Sequence, residues 1–150
     1  MKNLFEPTSV KEVKQRIAQL RPDSERQWGK MNPGQALAHC SRAMETALGD
    51  SNLPRMLIGR IIGGPVKKMA LGNDDPMKRN SPTSPAFVVR DQPDVAVEGA
   101  RLCALIDRFS EGGPPACTRH PHTFFGPMTP DEWAILMYKH VDHHLRQFGA

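Results

Sequence analysis

Two histidines, His140 and His144, stand four residues apart in a segment that runs from Thr129-Pro130-Asp131-Glu132-Trp133 to Gln147. On a helix, residues i and i+4 lie one above the other on one face, so this spacing sets two imidazoles side by side. Each neutral imidazole offers a lone pair, and two together are the start of a metal site. A helical wheel at about 100° per residue gathers Trp133, Leu136, Met137, Val141, Leu145 and Phe148 on one apolar arc. His140 and His144 fall inside that arc and His143 on its border. Lys139, Asp142 and Arg146 fall on the opposite side, and the wheel turns them to water. Burying two imidazoles without partners is costly, and a shared cation offsets that cost. Hydrogen bonds to other buried groups, or a place at the mouth of a bundle, would satisfy them too. A protease of the H-E-x-x-H type is disfavoured, because Val141 follows the first histidine.

A third ligand must come from elsewhere, and His39 is the best placed. It flanks the stripe formed by Leu37, Cys40, Met44 and Leu48, from which it can look across to a neighbouring helix, with Gln35 one turn before it. Cys40 sits in the centre of that stripe and reads as a small buried hydrophobe rather than a thiolate ligand. His120 and His122 share a loop with Phe124 and Phe125. They are the candidate catalytic residues, able to orient a substrate or move a proton at a pocket mouth. The alternative is an ordinary loop whose phenylalanines plug the bundle end.

These residues need helices to hold them, and helical patterns dominate the chain. The first spans Ser9–Leu20, with Ser9 as cap, Glu12 completing a capping box, and Val10, Val13, Ile17 and Leu20 as its stripe. The second opens at Asn32-Pro33 and stops at Gly49. Residues 53–71 read as two short helices kinked at Gly63-Gly64-Pro65. The connection from Gly72 to Pro93 is long for a compact domain, and only Ala86–Val89 within it has the composition of a strand. Another helix runs from Pro93 to Ser110, with Val95, Leu102, Leu105, Ile106 and Phe109 inward. The last is capped by Thr129, with Pro130 at its first position and Glu132 closing a capping box. The expected fold is all-α, an antiparallel four-helix bundle with short extra helices and long loops.

At 150 residues the chain is expected to be one domain, residues 1–150. Its 20 basic and 16 acidic residues give a net charge of +4 that is spread out rather than gathered in a tract, which argues against nucleic acid as a partner. No apolar run is long enough for a membrane span, and the start of the chain lacks a signal-peptide core. The 3 scattered cysteines suit a reducing cytoplasm.

His39 on a second helix, with His140-x-x-x-His144 and Gln147 on a last one, resembles the DinB/YfiT-like metalloenzyme superfamily. Trp28-Gly29-Lys30-Met31, Gly59-Arg60-Ile61-Ile62-Gly63 and Pro76-Met77-Lys78-Arg79-Asn80-Ser81-Pro82-Thr83 resemble one branch of it that is known only as a domain of unknown function. So does the ending from Phe124-Phe125-Gly126-Pro127-Met128 to Gln147-Phe148-Gly149. The likeness covers nearly the whole chain. It implies an up-down-down-up bundle and a divalent metal, zinc or nickel, held by His39, His140 and His144 with one coordination position open. It also implies a homodimer, and a small-molecule substrate turned over with a low-molecular-weight thiol by a transferase or isomerase, or a metal-assisted hydrolase. A metal- or ligand-binding, stress-related module without turnover is the rival. The branch sets His-Pro directly before Phe-Phe-Gly. Here the order is His120-Pro121-His122-Thr123, which leaves open which histidine takes that place.

Overall fold

The computed structural model describes residues 1–150 and is all-helical, with five α-helices, two short 3-10 turns and no strand. The helices are α1 (Pro7–Ile17), α2 (Pro33–Leu48), α3 (Leu57–Leu71), α4 (Val95–Gly112) and α5 (Pro130–Arg146). One isolated bridge, His122 to Gly126, is the only β-type pairing. The one stretch with the composition of a strand, Ala86–Val89, pairs with no other strand, and Pro85–Phe87 forms a 3-10 turn. No helix is long and apolar enough to cross a membrane.

The two helices that carry the histidines are the best specified. Asn32 caps α2 by accepting from the Gln35 backbone at 2.8 Å, and the Gln35 side chain accepts from the Asn32 N–H at 3.0 Å. Thr129 and Glu132 make the same reciprocal pair at the start of α5. Each cap contributes about 1 kcal/mol. Gly49, at φ 82°, closes α2 in the left-handed conformation. α2 packs against α4 and α5, and α1 also packs against α4 and α5. Leu37, Cys40, Met44, Leu102, Ile106, Phe109, Trp133, Val141 and Leu145 share one core between them.

Three sequence expectations are corrected. The first helix starts two residues early, at Pro7, and ends at Ile17. Pro7 is preset for the first helical position, so Ser9 lies inside the helix and is buried, its hydroxyl donating to Glu6. No side chain caps that end.

Residues 57–71 form one helix with Pro65 inside it, not two. Gly59 and Gly63 lie on the backbone of Phe124, where an added Cβ would come within 2.5 and 2.1 Å of the Phe124 carbonyl oxygen. Only backbone without side chains fits so close. The apolar residues Leu57, Ile58, Ile61, Ile62 and Met69 consequently face outward.

On α5, Lys139 and Asp142 are buried rather than turned to water. Asp142 accepts from Arg16 of α1 and from Arg146, both at 2.7 Å. Lys139 donates to the carbonyls of Ala70 and Asn73 at the end of α3. The wheel describes one helix, and Arg16, Ala70 and Asn73 come from other parts of the chain. Arg16 also donates to the Ala150 carbonyl, and Leu4 donates its N–H to Ala134, so the first element is tied to the last.

Candidate metal centre

α2 presents His39 from one side and α5 presents His140 and His144 from the other. One ring nitrogen from each lies within 4.8 Å of the other two, and no carboxylate or thiol joins the group. His39 Nε2 and His140 Nε2 are 2.9 Å apart. A tetrahedral zinc with bonds of about 2.0–2.1 Å sets its nitrogen ligands about 3.3 Å apart. The His39–His140 separation lies just short of that edge, and none of the three exceeds 4.8 Å.

The outer ring nitrogens decide which lone pairs are free. His39 Nδ1 lies 3.0 Å from the Phe87 carbonyl oxygen. A carbonyl only accepts, so the proton sits on Nδ1 and the Nε2 lone pair is left for the centre. His144 Nδ1 lies 2.9 Å from the Gln147 amide oxygen, with the same consequence. His140 Nδ1 is buried and has no partner.

Burial, with the neighbouring imidazoles, holds these rings neutral at ordinary pH. Desolvation pushes His144 down to about 3 and His140 well below its usual value. It also lowers His39, against the opposing pull of the Phe87 carbonyl. Neutral imidazoles are what a cation needs, and charged ones could not share so small a space. The donor set therefore fits a divalent metal.

The connection between α3 and α4 crosses this end of the molecule. Besides the Phe87 carbonyl on His39, it sends the Val88 carbonyl to Arg42, and the Arg79 guanidinium lies 4.0 Å over the Trp28 ring. Trp28 also lies 5.6 Å from the His143 ring, so His143 is a border residue packed between Trp28 and His144.

His120 and His122 stand outside the three-histidine group. His120 is exposed, its Nε2 paired with the Leu53 carbonyl. His122 packs on Phe125 and Trp133, and its Nδ1 accepts from the N–H groups of Phe124 and Phe125. Its remaining proton is therefore on Nε2, and burial pushes its pKa down to about 4. A ring so held donates a hydrogen bond more readily than it takes up a proton. Cys40 is a buried thiol whose pKa is raised by desolvation, the inert state expected of it.

Sequence reasoning gave Phe87 and Trp28 no part in the site. Backbone carbonyls carry no residue signature, and only the tertiary path of the chain shows them.

The family described as "Protein of unknown function (DUF1569)" matches residues 2–150, and the chain belongs to it. No curated protein and no solved structure matches.

Proposed function

We propose that this member of the family is a divalent-metal protein of DinB/YfiT-like type, an up-down-down-up bundle whose ligands are His39, His140 and His144. The observation that carries this reading is the convergence of three neutral imidazole nitrogens within 4.8 Å from two separate helices. Zinc and nickel suit such a donor set. Three protein ligands leave one position open, the arrangement of catalytic rather than closed zinc sites. A cation there would supply Lewis acidity toward a bound thiol or water near neutral pH.

On this reading the protein is a metal-dependent transferase or isomerase that uses a small thiol, or a hydrolase. His39 and His144 are held in the ligand tautomer by Phe87 and Gln147. His122, with its proton on Nε2, orients a substrate by donating a hydrogen bond, and His120 stays at the rim. A homodimer in a reducing cytosol belongs to the same proposal. The absence of any carboxylate from the group favours a second reading, a metal- or ligand-binding module without turnover.

Metal analysis of untagged protein tests the proposal, followed by a screen of thiols against electrophiles. Stoichiometric metal that is lost in His140→Ala is the expected result. Protein that purifies without metal and whose melting does not respond to added zinc or nickel would overturn it.

A further inference from the structure

We infer that Gln147 is a positioning residue: its amide, locked by the Trp28 carbonyl, holds His144 in the one tautomer that can serve as a ligand. This inference rests on the proposed metal site. Gln147 lies one helical turn beyond His144 and is 2 % exposed. Its Nε2 donates to the Trp28 carbonyl oxygen at 2.9 Å. Because that oxygen can only accept, the contact fixes which end of the amide is nitrogen. Oε1 must then face His144 Nδ1, 2.9 Å away, and can only accept the proton there. The His144 lone pair is thereby assigned to Nε2. A free amide could turn over and donate to Nδ1 instead, which would place the proton on Nε2 and block the ligand.

The turn that holds the amide is itself held. The Gln27 N–H donates to the Gln147 carbonyl at 2.6 Å. Gly29 sits at φ +77°, and an added Cβ would lie 2.5 Å from Gln147 Nε2. The missing side chain at Gly29 makes the space in which the amide sits. The Trp28 ring is fixed in turn by Arg79 on one side and His143 on the other. His39 takes its tautomer from a backbone carbonyl that cannot be mutated, so Gln147 is the point at which a side chain controls a ligand.

The test combines histidine nitrogen NMR on metal-free protein with zinc affinity by chelator competition. The variants are Gln147→Met, close in shape but without the amide, and Gly29→Ala, which crowds the amide from the other side. In the unmodified protein the His144 proton should reside on Nδ1. In Gln147→Met it should move in part to Nε2 while His39 is unchanged, and zinc affinity should fall about 10–100-fold. Gly29→Ala should move both in the same direction, by less, and it carries the test if Gln147→Met does not fold. An unchanged His144 tautomer in both variants overturns the inference, whatever happens to melting temperature or zinc. If the tautomer moves but the unmodified protein binds no zinc, the metal proposal falls and Gln147's hold on His144 stands.

Discussion

α5 and α3 are similar in length and both carry apolar residues at helical spacing, yet they are built in opposite ways. α5 begins with a reciprocal capping box and buries Trp133, Met137, Val141 and Leu145. α3 begins at Leu57 after Met56, which offers no side-chain cap, and contains Pro65, which deprives the Ile61 carbonyl of its helical donor. Leu57 and Ile61 are 78 % and 77 % exposed, and α3 meets the Phe124 backbone through Gly59 and Gly63 and the core only at its last residue, Leu71. Apolar periodicity announces a face but not what covers it. Two of the three candidate ligands, His140 and His144, sit on the helix whose position is fixed many times over, as a site that must hold its geometry to a fraction of an ångström requires.

The sharpest way to break this contrast is to truncate one large side chain on each helix. Trp133→Ala should cost about 3–5 kcal/mol in chemical denaturation, whereas Ile61→Ala should stay within about 0.5 kcal/mol. Equal losses would show that α3 is covered as α5 is.

A smaller effect comes from the loop that precedes α5 and carries His122. The folded-state pKa of His122, about 4, lies below its ordinary 6.5. The neutral ring is thus favoured by folding, and its contribution is complete above about pH 6.5. It is lost as pH falls toward 4, because the unfolded chain takes up the proton first. Between pH 7 and pH 4.5 the unmodified protein should lose roughly 1–3 kcal/mol more than His122→Gln, read as the change in urea midpoint. Parallel pH curves would place His122 in water.

The smallest effect concerns the helix starts. Thr129→Ala should destabilise by about 1 kcal/mol, while Met56→Asp should add about 0.5–1 kcal/mol by supplying the cap that α3 lacks. Hydrogen exchange at the first turns would locate both changes.

What could be read in advance followed the same division. α2 carries its cap, stripe and stop within its own sequence and α5 its cap and stripe, so the limits of α2, the start of α5 and the inward turn of His140 and His144 were legible. His39 was legible as a flank position and agreed with the family resemblance. Asp142 and Lys139 looked like solvent-facing residues because their partners, Arg16 and the end of α3, are remote in sequence. The exposure of Leu57, Ile58, Ile61 and Ile62 could not be read from their apolar character, because that part of α3 is seated on the Phe124 backbone by Gly59 and Gly63, which add nothing to a hydrophobic pattern. The contributions of Phe87 and Trp28 to the candidate site come from main-chain oxygen, to which the identity of a residue is nearly silent.

Arg16 has a consequence for how the molecule assembles. Its guanidinium reaches Asp142 and the Ala150 carbonyl across 126 and 134 residues of chain. Helices form locally and within microseconds, and bundles built from near neighbours fold fast. This chain must also bring its opening segment back onto its final helix, and contacts so remote in sequence are the kind that slow folding. A protein that looks simple by secondary structure is, as a polymer, a ring closed at its two ends.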